Sequence, residues 1–363
     1  MRSLLYLMAN ALLVVSGSQP GLAQARVSKL QTTIGAYAKE HDFNGTILIQ
    51  DKGKTIYHRS FGVADRAFSV PAANATRYKI ASITKAFTSV LILQLYEQGK
   101  LDLNGTIGTY LPNYTGEGAD RITVHNLLTH TSGMRNMDTV TSYQEGFKNG
   151  IQHYQTPYTT DELLTRFASR RLVSEVGKVF NYNNGEYIIL GKIIEKLTGK
   201  SYEEALKERI LQPLGMRESG MLYQRDIVKN LAPTYFLRDD LKVMINDLPA
   251  YIDNWYAAGA MYSTSADIAR FANALFGSKL LKRETLSLML KPGLDDYGYG
   301  LWIRSIKIGR KEYRTAERYG SIMGANTLLF HLLDSDRTFV FLSNTNTTDL
   351  GEFAVRVTRA LIN

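Results

Sequence analysis

YGLWIRSI (299–306), YRTAERY (313–319), TLLFHLL (327–333) and TFVFL (338–342) are four runs rich in β-branched and aromatic residues, the composition and length of strands. Ile308-Gly309-Arg310 and Asp334-Ser335-Asp336 supply turn chemistry between them, close enough for antiparallel pairing. A last helix is expected over Phe353 to Leu361. Working outward, two more strands are expected far upstream, at Gly45 to Gln50 and Thr55 to Val63, joined by the hairpin turn Asp51-Lys52-Gly53-Lys54. A helix over 26–41 precedes them, with Val27, Leu30, Ile34, Tyr37 and Ala38 at helical spacing. The segment from Ile83 to Glu97 has almost no polar face, which predicts a helix buried on most sides.

Between 101 and 257 the pattern is richer in helices and turns than in strands, as in Tyr187 to Leu197 before Gly199 and Tyr202 to Leu211 before Pro213. Thr264 and Asp267 form an expected capping box for a helix that carries Ile268, Phe271, Ala272 and Leu275 and stops at Gly277. The expected fold is α/β of the α+β kind: one antiparallel sheet built from both ends of the chain and flanked by helices, with a mostly helical insertion. The sheet unit takes 26–85 plus 258–363, and the helical unit 86–257.

The chain has 363 residues, 44% apolar and 21% charged, with 29 Gly and 8 Pro. That is ordinary globular composition, which excludes fibrous and disordered classes. The absence of Cys excludes disulfide scaffolds, thiolate metal sites and cysteine nucleophiles. The net charge of +9 is spread without a dense Lys/Arg block, so a solvated basic surface is expected and a nucleic-acid groove is not. Residues 1–25 read as an export signal: Arg2, an apolar run from Leu4 to Val15, and the small-x-small pattern Ala23-Gln24-Ala25. A membrane span needs about 20 apolar residues, and this run falls short. The expected location is therefore periplasmic or secreted, with no membrane span after signal removal.

Ser82-Ile83-Thr84-Lys85 is the single Ser-x-x-Lys in the chain, at the start of the buried helix. On a helix the i and i+3 side chains share a face, so Lys85 lies one turn from the Ser82 hydroxyl. Burial would lower its amine pKa toward neutrality. Taken alone, Ser82 reads equally as a helix cap with a chance Lys nearby. Tyr182-Asn183-Asn184 is the single Tyr-x-Asn among 22 Tyr, in a polar stretch before the helix near Tyr187. Such a loop presents a phenol and a carboxamide to a cleft, or simply turns the chain.

With these motifs the chain resembles the penicillin-recognising serine hydrolases of the class C β-lactamase type, a group that includes D,D-peptidases, D-aminopeptidases and carboxylesterases. Further family-like patterns occur in family order from about residue 30: Ile122 to Gly133, Phe180 to Gly191, Gln212 to Met216, Ala258 to Asp267, and Leu342-Ser343-Asn344. The resemblance implies Ser82 as nucleophile, Lys85 as its partner, Tyr182 as general base and Asn184 as a substrate-amide contact. The family's third motif, commonly Lys-Thr-Gly or His-x-Gly, corresponds to Arg318-Tyr319-Gly320, which ends an alternating strand and precedes Ser321. Arg318 replaces Lys or His there, and is expected to grip a substrate carboxylate if it faces the cleft, or to pair with a surface acid if it does not. Gly320 and Ser321 complete the expected substrate-binding set, with the Ser321 amide opposite that of Ser82 as oxyanion donor.

No cofactor or metal is expected: His125 and His130 lie about 140° apart on a helix and no His-Glu-x-x-His occurs. The aromatic segment Tyr251 to Tyr256 is assigned to packing and Asp267 to capping. The expected function is an exported serine hydrolase that forms an acyl-enzyme on an amide or ester, from a D-alanyl peptide, a β-lactam or a small ester. The alternatives are a carboxylesterase with little peptidase or lactamase activity, a catalytically silent penicillin-binding or sensor protein, and a polyanion-binding surface module. The partner is a small-molecule or peptide substrate, and the oligomeric state is left open.

Overall fold

The computed structural model describes residues 20–138 and 142–362. The export signal expected over 1–25 lies outside the described residues as far as residue 19. The described chain opens in α1 (Pro20–Glu40), which runs through the expected cleavage point. Next come β1 (Gly45–Asp51) and β2 (Lys54–Phe61). Lys52 and Gly53 between them both have positive φ, 50° and 73°. That is the conformation of a two-residue hairpin loop whose twist matches the strands, and Gly at its second position relieves half the strain.

After a one-turn 3-10 helix at Ala81–Ile83, α2 occupies Thr84–Glu97, α3 Asn184–Thr198 and α4 Ser265–Phe276. The C-terminal third supplies β3 (Trp302–Ile308), β4 (Lys311–Ile322), β5 (Ala325–Leu332) and β6 (Arg337–Ser343), followed by α5 (Leu350–Ile362). The six strands form one antiparallel sheet in the order β3-β4-β5-β6-β1-β2. The two ends of the chain meet at β6 and β1, where Ile47 opposes Phe341 and Ile49 opposes Phe339. The expected antiparallel sheet from both chain ends is thus present.

The period of two in these strands sorts side chains onto two faces. Ile47, Ile49, Phe339 and Phe341 pack with Leu30, Ile34, Phe353 and Val357 of α1 and α5. Leu48, Leu329, Val340 and Leu342 face the larger core that holds α2, α3 and α4. Because both faces are covered, TFVFL and TLLFHLL read as nearly continuous apolar runs. Each fully buried Phe or Leu contributes about 1.5–3 kcal/mol.

Three details differ from expectation. Thr264 accepts a hydrogen bond from the Asp267 amide, but the Asp267 carboxylate does not return to cap it. Instead it accepts from the Glu218 amide and the Ser219 hydroxyl and pairs with Arg270, tying α4 to a distant segment. Short strands also appear where none was expected: Tyr78–Lys79, Gly220–Met221 and Met261–Ser263 form a small ladder, and Tyr235–Arg238 pairs with Val243–Asn246. Runs of two to four residues are too brief to show a period. Finally, β4 continues past Tyr319 to Ile322, which carries Ser321 to the rim of a cavity.

Candidate active site

Ser82 sits in the 3-10 turn that launches α2, one residue after Ala81, whose φ is 47°. A non-glycine residue in this left-handed region carries strain of about 1–2 kcal/mol. The turn puts Ser82 at the floor of a cavity of about 380 Å³ whose wall includes Asp138, Tyr154, Tyr182, Asn184, Trp255 and Ser321.

Lys85 lies one turn along, completely buried. Its Nζ is 3.1 Å from Ser82 Oγ, 2.7 Å from Asn184 Oδ1 and 2.8 Å from the Ala258 carbonyl oxygen. The last two atoms only accept, so they fix two N–H bonds; the third position of the nitrogen faces the Ser82 hydroxyl, as proton or as lone pair. Burial lowers the Lys85 pKa to about 8, with Tyr182 opposing the shift and Arg318 adding to it.

Tyr182 reaches Ser82 from the loop before α3, its hydroxyl donating to Ser82 Oγ at 2.8 Å. Burial pushes this phenol up, but the Arg318 guanidinium and then Lys85 outweigh burial, and the net shift is downward. Asn183 rather than Asn184 caps α3, through its side chain and the Gly185 amide. That frees the Asn184 side chain to accept from Lys85 and to donate to Asp138 Oδ2 at 2.8 Å. Asn184 also lines the cavity.

The expectation for Arg318 needs correcting on both branches. Its side chain neither presents a free fork to the cleft nor reaches a surface acid: it is fully buried and absent from the cavity wall. Nε donates to the Ser82 carbonyl at 2.6 Å, Nη1 to the Tyr297 hydroxyl at 2.8 Å and Nη2 to the Tyr182 hydroxyl at 2.5 Å. The Trp302 ring covers it, 5.2 Å from the guanidinium carbon. The fork therefore holds the backbone of Ser82 and the phenol of Tyr182. All three acceptors are formally neutral, so the buried cation favours a negative charge on Tyr182.

Gly320 lies directly against the Ser82 turn. A Cβ there would stand 2.4 Å from the Ile80 carbonyl oxygen and 3.1 Å from the Ser82 nitrogen, so only glycine lets β4 lie this close to the Ser82 turn. Ser321 follows at the cavity rim.

Sequence reasoning missed three contributors. Asp138 accepts from the Tyr154 hydroxyl and from Asn184. Burial raises its carboxyl, ahead of the opposing influence of Tyr154, Lys85 and Asn184. His130, held apart from His125, hydrogen-bonds through Nδ1 to Glu186, and its ring centroid lies 4.4 Å from that of Tyr182. Burial lowers His130 well below the usual imidazole range and raises Glu186 well above the usual carboxyl range, so burial disfavours the charged form of each. Trp255, from the segment assigned to packing, stacks on Tyr154 at 3.6 Å and also lines the cavity. The only local signal for the His130–Glu186 pair was that His130 lies within the family-like stretch Ile122 to Gly133 and Glu186 two residues after Asn184; Asp138 had none.

Comparison with known proteins gives the family and the fold. The β-lactamase family profile matches residues 30–362. Penicillin-binding protein 4* of Bacillus subtilis (strain 168) is 26% identical, over 89% of this chain and 73% of its own length. Teichoic acid D-alanine hydrolase of Staphylococcus aureus is 25% identical over 75% of this chain; the match spans 65% of that relative's length, just under two thirds. D-amino acid amidase from Ochrobactrum anthropi SV3 superimposes with a TM-score of 0.78 at 23% identity, over 92% of this chain and 98% of that one, and so shares the fold. With the profile matched over nearly its whole length, the chain belongs to the β-lactamase family.

Proposed function

We propose that this serine hydrolase of the β-lactamase family works outside the cytoplasm by two-step acyl transfer from an amide or ester. Ser82 Oγ attacks the carbonyl carbon while its proton passes to Tyr182 or Lys85. The oxyanion rests on the amides of Ser82 and Ser321. As the carbonyl re-forms, the leaving group departs with the proton, and water then attacks the Ser82 ester by the same path in reverse. In this reading the cleft lies at the junction of the sheet unit (26–85 and 258–363) and the helical unit (86–257). The observation that carries the mechanism is the pair of contacts at Ser82 Oγ, Lys85 Nζ at 3.1 Å and Tyr182 at 2.8 Å, with a fixed cation behind the phenol.

Export is supported by the apolar run and small-x-small pattern in residues 1–25, and by relatives whose names place them at penicillin binding and teichoic acid D-alanine hydrolysis. Among the described residues no helix is long and apolar enough to cross a membrane. The cavity favours esters and amides without a free carboxylate over D-alanyl peptides and penicillins: no Lys, Arg or His is among the described residues that line it. Intact-protein mass spectrometry after exposure to a penicillin, a D-alanyl peptide and a short-chain nitrophenyl ester tests both points. A mass increase of one acyl group in the wild type, absent in Ser82→Ala, is expected, with the ester giving the highest occupancy. Equal labelling of Ser82→Ala rejects the nucleophile, and preferential labelling by penicillin rejects the ester preference.

A further inference from the structure

Asp138 is the one charged side chain among the described residues lining the cavity that holds Ser82. Both oxygens have a neutral donor: Oδ1 takes the Tyr154 hydroxyl and Oδ2 the Asn184 amide. An ionised carboxylate offers about four acceptor positions, so both oxygens retain capacity. Lys85 acts on Asp138 through its charge, yet its three contacts go to Ser82, Asn184 and Ala258, and Asn184 stands between it and Asp138. Burial raises the Asp138 carboxyl in spite of Lys85, so the protein alone leaves this group short of counter-charge. Beside it, Tyr154 and Trp255 stack with an interplanar angle of 7° and form a flat aromatic wall. A carboxylate next to aromatic faces, in a cavity that presents no cation, is a receptor for an ammonium group.

The position of that group follows from the chain of contacts. Asn184 links Asp138 directly to the lysine that touches Ser82 Oγ. An ammonium held by Asp138 would therefore sit close to the carbonyl that Ser82 attacks, within reach of an amino group on the carbon next to it. We infer that Asp138 and the Tyr154–Trp255 wall form an acyl-side subsite for a primary ammonium, so that the preferred substrates are α-aminoacyl esters or amides with a free amino group. This rests on the proposed nucleophile and deepens it.

The test compares alanyl p-nitroanilide, its N-acetyl derivative and propionyl p-nitroanilide, with both alanine enantiomers. In the wild type, kcat/KM for one free-amino enantiomer is expected to exceed that for the propionyl compound by tenfold or more, and acetylation should abolish the advantage. In Asp138→Asn the same ratio should fall to near one, whatever happens to the absolute rates. If that variant does not fold, 2-phenylethylammonium should inhibit wild-type hydrolysis of a neutral nitrophenyl ester at least tenfold more strongly than 2-phenylethanol. A wild-type ratio of one or less, a ratio unchanged in Asp138→Asn, or equal inhibition by amine and alcohol overturns the subsite. Ser82→Ala assayed on the propionyl compound reports separately on the nucleophile, so failure of the subsite and failure of the mechanism give different results.

Discussion

The helix side and the strand side of the cleft each bring one buried cation to the same phenol, and they do so with different chemistry. Lys85, on α2, contacts Ser82 Oγ itself and has its pKa brought to about 8 by burial. It can therefore change protonation state during turnover near neutral pH. Arg318, on β4, contacts the Ser82 carbonyl and the Tyr182 hydroxyl, and its pKa, lowered by burial but raised more by Tyr182, Tyr297 and Tyr187, moves further up. It is a permanent charge. The contrast points to a division of labour, with a proton carrier on the helix and a fixed field on the strand.

That division breaks most visibly at Lys85. Lys85→Arg keeps the charge but cannot give up a proton, so it should lower kcat/KM on a nitrophenyl ester at least about a thousandfold, much like Lys85→Ala. Retention of more than a tenth of the activity in Lys85→Arg would show that only charge is needed on the helix side, and the distinction between the two cations would collapse.

Tyr182→Phe probes the group they share. Loss of the proposed general base should lower the rate by about 10²–10⁴-fold. The same deletion leaves Arg318 Nη2 buried without its acceptor, at a cost on the order of 1.5–3 kcal/mol for a hydrogen bond to a charged group. Both rate and Tm should therefore fall, and Tm should recover in part in Tyr182→Phe/Arg318→Met. A Tyr182→Phe enzyme that melts lower yet turns over normally would reduce Tyr182 to a structural anchor for Arg318.

The two sides of the cleft were not equally legible in the sequence. Ser82 and Lys85 lie three residues apart on one helix, and helical geometry alone brings them together. The hairpin at Lys52-Gly53 was legible for the same reason, since its whole signal is local. Arg318 had the right position but the wrong direction. Strand alternation predicts that Glu317 and Arg318 point to opposite faces, but here both faces are covered and both side chains are buried. No period distinguishes a buried arginine from a surface one until its acceptors, Ser82, Tyr182 and Tyr297, have been brought in from three other parts of the chain. Asp138 and the His130–Glu186 pair were not legible because their partners are 16 to 56 residues away in sequence.

Arg318→Met sharpens the strand side through pH. The guanidinium lowers the Tyr182 pKa; with Tyr182 as the proposed base, its phenolate accepts the Ser82 proton, so kcat/KM should rise with pH through that lowered pKa. Removing the charge raises the pKa, and the rising limb should move to higher pH. The deficit should be largest near neutrality, about ten- to a hundredfold, and shrink as pH increases. Arg318→Lys, still charged near neutral pH, should move the limb less. A pH-independent deficit in Arg318→Met would mean that the residue only holds the backbone of Ser82.

The smallest expected effect is at Tyr297, which touches neither Ser82 nor the cavity. Its hydroxyl accepts from Arg318 Nη1 at 2.8 Å. Burial keeps this phenol protonated well past the usual range, so it serves as a neutral acceptor throughout the working pH range. Tyr297 is thus a positioning residue that acts through Arg318. Tyr297→Phe leaves the guanidinium its contacts to Ser82 and Tyr182 but removes the one that sets its third direction. Activity near neutral pH should fall about three- to tenfold, of the order of one hydrogen bond. The rising limb should shift in the same direction as in Arg318→Met and by less, whereas a residue that merely filled space would lower Tm and leave the limb where it was. In Tyr297→Phe/Arg318→Met the Phe substitution should add no further shift, because the charge it helped to aim is already gone.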